Sequence, residues 1–325
     1  AKTGGLWYNI TMSENQDINT ANANIKAGDV KSPAAGHDNA WKEIINEKYL
    51  SPFLEFYFPE FHQDIDFSKG VKFLNTELPQ LEPDDQIGDK RADVLVEVHL
   101  KDGTVEWYLI HIEVQSYVDK NFSQRLYLYN SRIFNKYDKP VITLALITED
   151  SEWYRPAEYK IAHRSFELSF KFPVIKIIDY KGRMADLEKS MNPFAVATLA
   201  YLRLIESKGD AEKKYLWKKA LIGDLYQKGF AREDVIALFR FTDWIIRMPA
   251  GMEENFREEI KKIKTEGGIT VEETLHTIES LTRQREREEM AAKMLDKGMD
   301  VKTIMEVTGL SEDEVRIAAG RAKAA

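Results

Sequence analysis

Two short segments, 91–98 and 108–115, constrain the fold of this chain more than any others. Each is rich in Val, Leu and Ile over the length of one strand, and Lys101, Asp102 and Gly103 between them supply a hairpin signal. Side chains two apart on a strand share a face. Glu113 and Gln115 therefore point one way, while Ile110, Ile112 and Val114 point the other way, into a core. The hairpin brings Asp93 on one strand beside Glu113 on the next. Carboxylates paired on adjacent strands suit a hard divalent cation, Mg²⁺ or another such as Mn²⁺. The main-chain carbonyl of Val114 is available as a third oxygen. A solvated sheet edge, or cross-strand pairing with lysines, is the plainer reading of the same acids.

The surrounding pattern is α/β. A helix opens at His37, Asp38 and Asn39, with Asp38 or Asn39 as cap and Trp41, Ile44, Ile45 and Lys48 on one stripe. Asp38 and Lys42 border that stripe and can face the hairpin; capping by Asp38 and a solvated Lys42 is an equal alternative. An aromatic segment, 53–61, is closed by Pro59, and 71–77 reads as a strand. Residues 118–137 read as a helix burying Phe122, Leu126, Tyr129 and Ile133. The near-continuous apolar run 141–147 reads as a strand covered on both faces, with further strands at 166–170 and 174–178.

From 184 the β signal stops and helices follow, including a long charged one over 270–296. The final pair, 301–307 and 311–320, is split by Thr308, Gly309 and Leu310 and looks like a helix-turn-helix, with Ser311 and Glu314 forming a capping box. Its second helix starts with Glu312, Asp313 and Glu314, which repel phosphates, so packing or self-association is favoured there over DNA reading. The resulting division is an irregular arm (1–36), an α/β domain (37–183), a helical domain (184–265) and a charged C-terminal unit (266–325).

Composition excludes some classes. The chain has 325 residues, no cysteine and a formal charge of −8, so disulfides and thiolate metal sites are absent and a general polyanion coat is disfavoured. No apolar run reaches the ~18 residues of a membrane span. The N-terminus lacks a secretory layout and starts at Ala1 rather than Met, as in a trimmed or partial chain; a cytoplasmic protein is expected.

Several motifs stand in order: His37-Asp38-x-x-Trp41-Lys42, Ala92-Asp93, Glu113-x-Gln115, Arg125-x-x-x-Tyr129, Pro140-Val141-Ile142, and Phe241-Thr242-Asp243-Trp244-Ile245 through Pro249. In that order and spacing the chain resembles the Rpn-type recombination-promoting nuclease and transposase family, a branch of the PD-(D/E)XK nuclease superfamily. The resemblance covers roughly 37–310. It implies a restriction-endonuclease-like core, with a mixed central sheet flanked by helices and an all-α C-terminal region. It also implies a Mg²⁺-dependent DNA endonuclease linked to recombination or mobile elements, with Asp93 and Glu113 as metal ligands. Gln115 stands where the superfamily usually has Lys, and Lys42 is the candidate to supply the missing charge beside Asp38. Arg125 belongs to the family pattern, and with Lys120, Gln124 and Arg132 it forms a candidate DNA-contacting set. His111 shares the Glu113 face, and with His99 it makes a transition-metal site conceivable, though a packed or hydrogen-bonded histidine is favoured. A catalytically silent protein that keeps the fold to bind DNA or other proteins is the competing reading. Self-association through the helical half is a further expectation.

Overall fold

The computed structural model describes residues 35–74, 94–101, 108–260, 287–288, 290–295, 297–312 and 314–315. Every described residue lies in one compact unit within 34–325. Helix α1 (Ala35–Ile44), α2 (Leu50–Tyr57) and α3 (Pro59–Asp64) precede β1 (Lys72–Phe73), β2 (Val94–Val98) and β3 (Tyr108–Gln115). Then follow α4 (Phe122–Tyr137), β4 (Val141–Ile147), the hairpin strands β5 (Glu158–His163) and β6 (Phe166–Lys171), and β7 (Val174–Lys176). Among the helices that follow are α5 (Met184–Lys189), α6 (Pro193–Ser207), α7 (Ala211–Gln227), α8 (Arg232–Ile245), α9 (Ala250–Ile260) and α10 (Val301–Thr308).

The central sheet has the order β1-β2-β3-β4-β7. Its first two pairings are antiparallel and its last two parallel, so the sheet is mixed. Parallel neighbours need a crossover, and α4 supplies the one between β3 and β4. This α/β architecture, with flanking helices and a helical C-terminal region, is consistent with a restriction-endonuclease-like fold.

The period of two in β3 sorts its side chains between two layers. Ile110, Ile112 and Val114 join residues of α1, α2, α6 and α8 in the main core, which continues to Phe256 and Ile260 of α9. The opposite face looks at α4, whose Phe122, Leu126, Tyr129 and Ile133 are buried, as their spacing predicts. Asn130 of α4 donates to Val141 O at 2.9 Å and to Thr143 Oγ1 at 3.1 Å, pinning the helix to β4.

Helix α1 is held by Trp41, which is fully buried and packs edge-on against Phe241 of α8, ring centres 4.8 Å apart. Tyr201 and Tyr57 complete its surroundings at 6.2 and 6.4 Å. Behind it, the fully buried Lys218 of α7 bonds Asp243 of α8 at 2.7 Å and both carboxylate oxygens of Glu253 of α9 at 2.8 and 3.0 Å. One cation therefore ties three helices, and its ammonium also sits 5.0 Å from the centre of the Phe256 ring.

Some local expectations change. Asp38 and Asn39 fall inside α1 and not at its cap, because the helix begins at Ala35. Pro59 does not only close the aromatic segment; at the first position of α3 it opens the next helix, where its missing N–H has no partner to lose. The strand expected over 71–77 is described as Lys72–Phe73, and 75–77 lie outside the described residues. Strand 174–178 stops at Lys176, and Ile177–Arg183 continues as 3₁₀ helix. The hairpin partner β5 has no counterpart in the sequence reading. Its turn uses Arg164 at φ 52°, so no glycine or Asn-Gly pair announces it. Strand β5 is also mostly exposed and leaves little hydrophobic signature.

Replacing Lys218 by Met leaves two carboxylates facing each other without their counter-charge. This should lower the unfolding free energy by about 3 kcal/mol, read from urea denaturation. Lys219→Met, at the exposed pair with Glu259, should leave the midpoint nearly unchanged; equal losses in the two variants would mean that burial is not what gives Lys218 its role.

Candidate active site

The end of β3 presents His111, Glu113 and Gln115 to α4, all of them buried, with Glu113 only 4% exposed. A solvated sheet edge is therefore excluded for Glu113. Arg125 reaches these groups from the first turns of α4. Its Nη2 donates to Gln115 Oε1 at 2.8 Å and to Glu113 Oε1 at 3.2 Å, and its Nη1 donates to Asp119. The guanidinium also lies 5.3 Å from the centre of the Phe122 ring. Gln115 Nε2 donates to Tyr117 O at 2.7 Å, so the amide oxygen is turned toward Arg125 and the amide nitrogen away from Glu113.

Burial works against charge on both members of this pair. It pushes the Glu113 carboxyl up, but His111, the Arg125 guanidinium and the Lys42 ammonium together hold it below the ordinary glutamate value. Burial likewise works against the Arg125 cation, and Glu113 foremost, with Asp119, raises its pKa. A carboxyl with a lowered folded pKa contributes stability above its unfolded value of about 4.3 and loses it as pH falls through the folded value.

The neighbouring ends of the parallel strands extend this polar layer. Thr148 N donates to Gln115 O at 2.9 Å. Tyr154 donates its hydroxyl to Asp119 O at 3.0 Å, and Lys176, buried at the end of β7, donates to Tyr154 O at 2.8 Å and to Glu149 Oε2 at 3.2 Å. Helix α4 starts at Phe122 rather than 118, so Asp119 lies in the turn before it and can fold back onto Arg125. Nothing in the sequence marks Asp119, Tyr154 or Lys176 as partners, because their convergence depends on three separate strand ends.

The other residues singled out by sequence distribute as follows. Lys42 is half-buried on α1, and its charge is felt by Glu113. Asp93 lies outside the described residues; β2 begins at Val94, paired with Ile112, the residue before Glu113. Asp38 is helical, but its side chain is outside the described residues. Val114 turns its side chain into the main core. Lys120 and Gln124 are exposed and Arg132 is half-buried. Arg125, in contrast, is turned inward with both terminal nitrogens engaged by protein groups. Among the described residues no three His, Asp or Glu side chains cluster as a metal site, so His99 does not join His111 and Glu113 in one. The described surface also holds an open depression lined by Phe56, Tyr180, Arg183 and Asn192, and none of these candidate residues borders it.

The C-terminal unit has its own small core of Ala291, Ile304, Leu310 and Val315. Asp300 caps α10 by accepting from Thr303 N at 3.0 Å, and Gly309 ends it at φ 69°, a backbone conformation that glycine adopts without strain. The capping box forms: Ser311 N donates to Glu314 Oε2 at 2.8 Å and Glu314 N donates to Ser311 Oγ at 3.3 Å. Among the described residues no helix is long and apolar enough to cross a membrane.

No curated protein and no solved structure matches the chain. Residues 284–319, which contain α10 and the capping box, match the model of the C-terminal HTH domain of the Rpn/YhgA-like nuclease family. A helix-turn-helix there suggests DNA binding, and the family suggests a nuclease-related function. This match supports an Rpn-type assignment of the chain, in agreement with the family that its α/β motifs resemble.

Proposed function

We propose that the chain is a metal-dependent DNA endonuclease linked to recombination or mobile elements, with phosphodiester hydrolysis at the end of β3. The observation that carries this reading is the state of Glu113. It is buried yet held below the usual carboxylate range, and its Oε2 has no hydrogen-bond partner among the described residues. A buried acceptor left unpaired is costly, and such groups persist where something else uses them. A divalent cation, Mg²⁺ or Mn²⁺, held by Glu113, Asp93 and the main-chain carbonyl of Val114, would polarise the scissile phosphate and lower the pKa of a water.

The chain's own residues then take distinct roles. Arg125 grips Glu113 Oε1, so Oε2 would be the atom that holds the cation. Asp119 balances the Arg125 charge, so the guanidinium does not cancel the anionic character of the site. Lys42, with Asp38 near it on α1, supplies the positive charge that Gln115 lacks. Lys120, Gln124 and Arg132 contact the DNA backbone beside α4, while Arg125 serves as a positioning residue. In this scheme the α/β part (37–183) cuts, the helical part (184–265) braces it, and the C-terminal unit (266–325) holds DNA or a second copy. In this reading the protein works in the cytoplasm.

The near-complete enclosure of Glu113 favours one competing reading, a silent nuclease fold in which Arg125 plugs the carboxylate. Nicking of supercoiled plasmid separates the two. Cleavage should require Mg²⁺ or Mn²⁺, stop with EDTA, and fall to background in Glu113→Gln and in Asp93→Ala. Retarded DNA migration without any nicking would select the silent protein. Lys42→Met should reduce cleavage by about 100-fold with an unchanged melting temperature, and full activity in that variant would remove Lys42 from the mechanism.

A further inference from the structure

The proposed cation leaves one feature of β3 unexplained. His111 is fully buried, and neither ring nitrogen has a hydrogen-bond partner among the described residues. Leaving such groups unsatisfied in a buried layer is costly. Its Nε2 stands 3.5 Å from Glu113 Oε2, an ion-pair contact when the ring is protonated, and Oε2 is likewise buried without a hydrogen bond among the described residues. That separation is longer than an N–H···O hydrogen bond of about 2.7–3.2 Å. It fits two neighbouring ligands of one ion: with metal–ligand bonds near 2.1 Å at a tetrahedral angle, the donors lie about 3.4 Å apart. The other Glu113 oxygen is occupied by Arg125, and the imidazole is steadied edge-on by the Tyr129 ring, with centres 5.9 Å apart and planes at 83°.

We infer that His111 Nε2 and Glu113 Oε2 are adjacent ligands of one divalent cation, and that the site therefore takes a first-row transition ion in preference to Mg²⁺. Mg²⁺ favours an all-oxygen, largely hydrated sphere, whereas an imidazole nitrogen is a donor suited to transition ions. The remaining positions fall to water and to the oxygens of the proposed nuclease site. The inference rests on Glu113 being the metal ligand of that site, and it adds a nitrogen donor to it.

Mn²⁺ is the probe, because its electron spin reports nitrogen bound directly to it. Full-length protein loaded with Mn²⁺ should show nitrogen modulation in electron spin-echo spectra. The modulation should change to the ¹⁵N pattern when the histidines are ¹⁵N-labelled, a measurement that needs no variant. It should vanish in His111→Gln, and the preference for Mn²⁺ over Mg²⁺ in competition titrations should fall by about 10-fold or more. Mn²⁺ that binds in a Glu113-dependent way without histidine modulation, or modulation that survives in His111→Gln, overturns the inference and leaves the nuclease site standing. Mn²⁺ binding that is absent, or indifferent to Glu113→Gln, overturns both.

Discussion

The ion pair between Glu113 and Arg125 decides how the α/β half is put together. It lies in the dry layer between β3 and α4, where an isolated carboxylate would take up a proton and an isolated guanidinium would be expelled. Each charge is tolerable there because of the other, and Gln115 and Asp119 accept further hydrogen bonds from Nη2 and Nη1 of Arg125. The network thereby fixes the rotation of α4 about its axis and its height along β3. Removing one member strands a largely buried charge without its partner, so the group behaves as a unit.

The helical half serves that site at a distance. Trp41 is clamped by Phe241, Tyr201 and Tyr57, and the next residue, Lys42, is thereby held where Glu113 feels its charge. The segment 241–245, one of the motifs behind the family resemblance, is structural throughout its described contacts. Phe241 packs on Trp41 and Asp243 neutralises Lys218. Chemistry-bearing and brace-forming residues are thus interleaved, and one core runs from α1 to α9 beneath both.

Much of the framework was legible from periodicity. The alternation in β3 separated Ile110, Ile112 and Val114 from Glu113 and Gln115, and the spacing of Phe122, Leu126, Tyr129 and Ile133 defined the inward face of α4. The capping box at Ser311 and Glu314 was readable because it is a local hydrogen-bond pattern. Where the signal was weak, the reading went astray. Strand β5 has an exposed surface and a turn at Arg164 that carries no glycine, and α1 starts before the residues expected to cap it.

By itself, the sequence determined that Glu113 and Gln115 share one face of β3, that Phe122, Leu126, Tyr129 and Ile133 line one face of α4, and that Ser311 and Glu314 form a capping box, since these follow from period and local capping. Only the tertiary structure decided that the shared face is buried, that Arg125 turns in toward Glu113 instead of out toward a ligand, and that His111 and one Glu113 oxygen face each other without a hydrogen bond among the described residues. Those outcomes depend on desolvation and on contacts between segments far apart in the chain, and neither is encoded in the spacing of neighbours.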